Sequence, residues 1–266
     1  MPPALRRARI LQRIQREGGV SSADLARAYA VSMVTVHRDL EELARLGLVE
    51  RVHGGARPRA RDGDEAGAPI PTAWTQRVQQ AGAAKAVIAD QAMEFVEHGA
   101  TIFLDASSTA LALARRLARD PPNEITLVTN SPAIAYEIQH DAIHVVVCPG
   151  ELDQHMRMLA GRWTVEFLAE LNFAVAFVSA AGVTLEQGLT TARRPLADVV
   201  NAARASAERS VGLIDATKFG RASLLSIARA QDLDAIVTDA ELPAGVAETY
   251  RAADVRLEIA IPEEGP

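Results

Sequence analysis

The chain of 266 residues has one cysteine, Cys148, and only two lysines, Lys85 and Lys218, among its 28 basic side chains. A single cysteine excludes an intramolecular disulfide and any metal site built from several thiolates. Cys148 closes the run His144-Val145-Val146-Val147-Cys148, so a buried, inert thiol is expected. Long apolar runs are also missing. The longest, around Phe173 to Val183, is about a dozen residues, against the roughly 20 that cross a bilayer. The first residues, Met1-Pro2-Pro3-Ala4-Leu5-Arg6, pass straight into an amphipathic pattern without the apolar block of a signal peptide. These absences predict a cytoplasmic protein with no membrane span, and nothing in the composition calls for a cofactor or a metal. The length suits two domains.

Charge is divided unevenly along the chain. Residues 1–61 carry 12 arginines against 6 acids, whereas residues 62–266 carry 16 basic residues against 28 acids. A positive head on an acidic body predicts that the head alone meets a polyanion. A solvated basic face would give the same count, so the pattern of residues must decide.

Ile10, Leu11 and Ile14 share one side of a helical pattern over residues 5–17 that stops at Gly18-Gly19. A short second helix starts at Ser21 or Ser22, with Asp24 in capping-box spacing, and runs through Leu25, Ala26 and Tyr29. Ser32 is the candidate N-cap of a third helix whose Val36, Leu40 and Leu43 repeat at i, i+4 and i+7. That stripe leaves Met33, Val34, His37, Arg38 and Glu41 on the outer face. An arginine there can pair with guanine, and apolar tips can meet thymine methyls in a major groove. Ser32 and Thr35 suit phosphate contacts. Gly47 to Gly55 alternate apolar and polar residues and end in a glycine pair, as two short strands joined by a turn would. In this wing Arg51 and His53 are placed to touch DNA.

With Val31-Ser32, Thr35-Val36-His37-Arg38-Asp39-Leu40, Leu43, Gly47-Leu48 and Arg51-Val52-His53-Gly54-Gly55-Ala56, residues 5–56 resemble the DeoR family of bacterial transcription regulators. The resemblance implies a winged helix-turn-helix that binds a double-stranded DNA operator. Two residues depart from the family pattern. Ala30 stands where glycine is usual, and a left-handed alanine there would cost about 1 kcal/mol. His37 stands where arginine is usual.

Residues 57–72 are rich in Pro, Gly, Ala and charge and read as a linker between a domain at 1–56 and another at 73–266. From Trp74 a long helical stretch is expected to reach His98-Gly99. Strand-like runs then alternate with helical ones: Thr101 to Asp105, Ile125 to Thr129, His144 to Cys148, Phe173 to Ser179, Val211 to Asp215 and Ala235 to Asp239. This alternation predicts an α/β, Rossmann-like domain with a largely parallel sheet covered on both faces, its ligand beyond the carboxyl ends of the strands. Asp105-Ala106-Ser107-Ser108-Thr109 and Thr129-Asn130-Ser131 are hydroxyl-rich helix starts, suited to an oxyanion or to plain capping. Lys218, just past a strand, could reach a phosphate, whereas Lys85 reads as a surface lysine.

The same segments, with Gly188-Leu189-Thr190-Thr191 and Asp215 to Gly220, resemble the DeoR sensor domain, itself similar to the sugar-phosphate isomerase and CoA-transferase fold. The resemblance implies a phosphorylated sugar or related metabolite as effector and a homo-oligomer as the assembly. It implies a pocket drawn from Asp105, Ser107, Ser108, Thr109, Asn130, Ser131, Gly150, Thr190 and Lys218. After Thr191 the chain departs from the family with Ala192-Arg193-Arg194-Pro195, and Pro149-Gly150 replaces a glycine pair. Three functions fit: a ligand-responsive repressor, an isomerase-like enzyme using Asp105, Asp215 and Lys218, or a DNA-binding protein whose second domain only oligomerises.

Overall fold

A computed structural model of the protein describes residues 6, 7, 9–11, 13, 14, 20–45, 49–52, 54–58 and 74–261. The chain falls into two compact units, Met1–Glu65 and Ala66–Pro266.

In the first unit, helical residues between Arg6 and Ile14 precede α1 (Ser22–Tyr29) and α2 (Met33–Arg45). A small antiparallel sheet orders β1 (Val20–Ser21), β3 (Gly55–Pro58) and β2 (Val49–Val52) side by side. Ile10, Ile14, Leu25, Val36, Leu40, Leu43, Val49 and Ala56 form one buried core, so the helical stripes read from sequence do face inward. Ser21 caps α1, its Oγ accepting from the Asp24 amide at 3.0 Å. The expected end of the first helix, Gly18-Gly19, lies outside the described residues.

Ala30 closes α1 in the left-handed region, φ 51° and ψ 50°, and the Val31 amide then donates to Ala26 O at 3.1 Å. A Cβ in that region is strained. Ala30→Gly is therefore expected to stabilise the first unit by about 1 kcal/mol. Amide exchange of Val36 and Leu40 through unfolding should slow roughly fivefold. Equal or faster exchange would mean that the turn does not carry the strain.

The glycine pair of the wing serves two purposes. Gly54 has φ +83° at the β2–β3 turn, and a Cβ on Gly55 would lie 2.1 Å from Val20 O. Only a residue without a side chain lets β1 approach β3. The third strand, β1, is absent from the sequence reading. The expected linker begins late as well, because Arg57 and Pro58 belong to β3, paired with Glu50 and Val49. Its remaining residues, 59–72, lie outside the described residues.

The second unit holds a seven-stranded parallel sheet in the order β15, β14, β12, β9, β4, β5, β6. These strands are β4 (Thr101–Leu104), β5 (Ile125–Thr129), β6 (Ile143–Val147), β9 (Phe173–Val178), β12 (Ala207–Leu213), β14 (Ala235–Asp239) and β15 (Leu257–Ala260). Successive residues serve opposite faces: Phe103 joins one core cluster, while Ile102 and Leu104 join the other. Six strands match the runs read from sequence. The seventh, β15, was not read, and neither were two antiparallel pieces, β7 (Glu151–Asp153) with β8 (Met158–Ala160), and β10 (Gly182–Thr184), β11 (Gly188–Thr191) and β13 (Leu225–Ala228).

The long helix expected from Trp74 is in fact broken. Helix α3 (Trp74–Gln79) stops before Ala81, whose φ is 50°, and α4 (Gly82–Ala92) runs into a 3₁₀ turn at Met93–Phe95. The break has a chemical cause. Lys85 Nζ donates to the carbonyls of Arg77 and Gln80, taking up acceptors that a continuous helix would have satisfied itself. The remaining helices are α5 (Ser108–Leu117), α6 (Pro132–Glu137), α7 (Arg162–Ala169), α8 (Arg194–Ala205) and α9 (Ala244–Ala252).

Candidate functional site

Helix α2 carries its polar and apolar residues as a groove-reading helix requires. Val36 and Leu40 are fully buried, whereas Met33 and Val34 are 44% and 63% exposed, and His37, Arg38 and Glu41 are exposed beside them. Ser32 Oγ accepts from the Thr35 amide at 3.2 Å and lies 2.9 Å from Thr35 Oγ1. Ser32 thus caps the helix and takes up the Thr35 amide, and the Thr35 hydroxyl is held against that cap.

The adjacent residues Arg38, Asp39 and Leu40 have three different environments. Arg38 faces solvent, and Leu40 enters the core. Asp39, 5% exposed, accepts from Arg6 Nε at 2.5 Å and from Arg6 Nη2 at 3.3 Å. The acid therefore clamps the leading helical residues onto α2 through a two-pronged guanidinium contact. Arg51 is half-buried on β2, and its Nη1 donates to His37 O at 3.3 Å. It ties the wing to the middle of α2. His53 lies outside the described residues.

In the second unit the site follows from strand order. Strands β12, β9, β4 and β5 are neighbours, so the residues just past their ends, Asp215, Ser179, Asp105 and Asn130, line one edge of the sheet. The connections reverse direction between β4 and β9, which opens the crevice where such sheets bind ligands. Asp105 bridges that point. Its Oδ1 accepts from the Ser107 amide at 3.0 Å and its Oδ2 from the Ser179 amide at 2.7 Å. Burial pushes its carboxyl above the usual range, and these donors pull it back. With both oxygens engaged and 1% exposure, Asp105 positions the two loops.

Lys218 Nζ donates to Ser179 Oγ at 3.0 Å and lies 3.6 Å from Asp215 Oδ2, and Ser179 Oγ donates onward to Leu213 O at 2.9 Å. Thr217 Oγ1 also donates to Asp215. Ser107 Oγ accepts from the Ala110 amide at 3.0 Å, and Ser131 Oγ from the Ile134 amide at 3.3 Å, so both act as caps. Asn130 Nδ2 donates to Leu159 O at 2.9 Å. Two polar atoms at these helix starts, Thr109 Oγ1 and Asn130 Oδ1, are buried without a protein hydrogen bond among the described residues. Such groups are costly unless something else satisfies them. Ser108 is buried on α5 beside them.

Two of the expected pocket residues serve the frame. Gly150 has φ +150°, and a Cβ there would lie 2.1 Å from Thr164 Oγ1 and 2.8 Å from Ala160 O. Thr190 Oγ1 donates to Gly182 O at 3.0 Å and accepts from the Ser223 amide at 2.9 Å, binding the small antiparallel sheet.

Lys85, read from sequence as a surface lysine, is only 5% exposed. Burial lowers its ammonium to about 8, with repulsion from Lys218 and Arg77 adding to the effect and Asp215 opposing it. Its ammonium, held by the carbonyls of Arg77 and Gln80, belongs to the frame that joins α3 to α4. The sequence carried a signal, because Lys85, Ile88, Ala89 and Ala92 fall on the buried stripe of α4. Cys148, by contrast, is as expected: 2% exposed, with burial pushing its thiol up to about 12.

The chain has known relatives. It is 32% identical over 255 residues to the HTH-type transcriptional regulator GlpR of Haloferax volcanii, covering 96% of this chain and 97% of that one. It is 27% identical to the putative aga operon transcriptional repressor of Escherichia coli O157:H7, covering 95% and 92%, and 25% identical to the glycerol-3-phosphate regulon repressor of Escherichia coli K12, covering 94% and 96%. Among solved structures, ribose 5-phosphate isomerase A of Methanocaldococcus jannaschii matches 51% of this chain and 53% of that one, at 20% identity and a TM-score of 0.38. Residues 6–60 match the DeoR-like helix-turn-helix domain and residues 80–240 the DeoR C terminal sensor domain. The exposed face of α2 and the parallel sheet behind the crevice thus belong to one known arrangement, and the chain is a member of the DeoR family of transcriptional regulators.

Proposed function

We propose that this chain is a cytoplasmic, homo-oligomeric repressor whose first domain binds an operator and whose second binds a phosphorylated sugar or related metabolite that changes operator affinity. The first domain runs through β3 to Pro58, two residues beyond the boundary expected from sequence, and the second over 73–266, with 59–72 between them. Ser32, Met33, Val34, Thr35, His37 and Arg38 meet the DNA, with Arg51 and His53 in the wing. Ser107, Ser108, Thr109, Asn130, Ser131 and Lys218 form the anion seat, while Asp105, Gly150 and Thr190 hold its frame.

The observation that carries the sensor reading is that Lys218, past β12, and the unsatisfied Thr109 Oγ1 and Asn130 Oδ1, past β4 and β5, follow strands that end at the same carboxyl edge of the sheet. An oxyanion accepts from the threonine hydroxyl and the lysine. Asn130 Nδ2 is held by Leu159 O, so its free Oδ1 accepts from a hydroxyl of the same ligand. The names of the relatives, a glycerol-3-phosphate regulon repressor among them, support a phosphorylated effector. The engaged oxygens of Asp105 and Asp215 support a regulator over an isomerase, since neither acid is poised over the crevice as a free base.

A thermal-shift panel of sugar phosphates, polyol phosphates and sugar acids tests this. A ligand at 100 times its dissociation constant adds about 2.7 kcal/mol. At about 2–4 °C per kcal/mol the melting point should rise by about 5–10 °C. Lys218→Met is expected to abolish the rise, measured against the variant's own unliganded melting point, which should itself fall because the buried Asp215 loses its cation. A full shift in that variant would place the pocket elsewhere, and turnover of any panel member would restore the enzyme reading.

A further inference from the structure

The two edges of the parallel sheet are guarded differently. At one edge, β15 carries Glu258, whose side chain pairs with Arg256 at 2.7 Å. Charge on an edge strand opposes the addition of another strand. At the other edge, β6 reads Ile143-His144-Val145-Val146-Val147, with no lysine, arginine, acid or proline, and nothing among the described residues pairs with its outer side. A neutral, unpaired row of N–H and C=O groups is a template for a further strand.

Exposed apolar side chains gather at the end of this strand. Val147 is 43% exposed, Leu152 on β7 56% and Trp163 on α7 66%. One tight corner joins the three segments: Pro149 O accepts from Thr164 Oγ1 at 2.6 Å, and Gly150 packs against Thr164 and Ala160 too closely for a side chain.

We propose that the outer edge of β6, with Val147, Leu152 and Trp163, is the surface on which a second copy of this chain docks, strand against strand about a two-fold axis. A strand related to itself by a two-fold axis runs antiparallel to its copy, and each presents the same donors and acceptors, so the surface is its own complement. Its centre is uncharged, and its rim bears both signs, Glu151 on β7 and Arg162 on α7, so two copies do not meet as like charges. The chain also carries one groove-reading helix, while a two-fold operator presents two half-sites, which calls for a second copy. That last step rests on the operator reading above. The β7–β8 hairpin further links this surface to the seat, because Leu159 exchanges two hydrogen bonds with Asn130, at 2.7 and 2.9 Å. A ligand that moves Asn130 therefore acts directly on the contact.

Sedimentation velocity of the full chain over a concentration series tests the proposal. The wild type is expected to form dimers or larger even-numbered assemblies. The triple variant Val147→Glu, Leu152→Glu, Trp163→Glu should sediment as a monomer with an unchanged circular dichroism spectrum. Leu224→Glu, at an apolar residue 74% exposed elsewhere, should assemble as the wild type does. In case the triple variant misfolds, amide exchange of the wild type supplies a second measurement. Dilution should accelerate exchange in Ile143–Val147 and leave Leu257–Ala260 unchanged. A monomeric wild type, a triple variant that assembles normally, or dilution-independent exchange in β6 each overturns the proposal. Normal assembly without duplex binding would instead leave the docking surface standing and remove the operator reading.

Discussion

Arg38→Ala is expected to weaken binding to the chain's own promoter DNA by about 10- to 100-fold, the loss of one good base contact. The residue stands exposed on α2, next to Asp39, which is turned inward onto Arg6. Removing the guanidinium therefore leaves the packing of the helix intact, and the melting point should hold. The measurement is a titration of labelled duplex at fixed salt, repeated on a scrambled sequence. Discrimination between the two should fall in the variant, because a base contact carries sequence information and a phosphate contact does not. Equal loss on both duplexes would make Arg38 a phosphate ligand, and no loss on either would remove α2 from the groove.

Gly188→Ala is expected to destabilise the second unit by about 3 kcal/mol or more, lowering its melting point by about 6–12 °C. Gly188 has φ +68°, and a Cβ there would sit 1.9 Å from Ala228 O and 2.7 Å from Arg229 Cα. Ala228 is in β13, paired with Leu189 of β11, and Arg229 follows it directly, so neither backbone can step aside cheaply. The motif Gly188-Leu189-Thr190-Thr191 thus builds the β10–β11–β13 sheet. If the variant melts like the wild type yet loses the effector-induced shift, the motif touches ligand and this structural account of it is wrong.

Much of this protein was legible because local patterns and their packing agree. The stripe Val36, Leu40, Leu43 could only face inward, and the outer face of α2 followed by subtraction. The β-branched runs from Thr101 onward had to become buried parallel strands, since each is apolar on both faces and separated by helical spacing. What escaped was short or depended on a distant partner. β15, Leu257-Glu258-Ile259-Ala260, interrupts its short apolar run with a charge, and β1 has two residues that exist as a strand only because Gly55 admits them. The helix break at Ala81 depends on where the Lys85 ammonium ends up, and no window of sequence reports that.

Sequence by itself determined the two-part organisation, the exposed face of α2 and the class of sheet, because periodicity and charge act over a few residues. Only the tertiary structure decided that Asp105 holds two loops together, that Asp39 belongs to Arg6, and that Lys85 is buried on the carbonyls of Arg77 and Gln80. A side chain's role depends on which distant groups satisfy it, and that pairing is fixed only when the strands have taken their order.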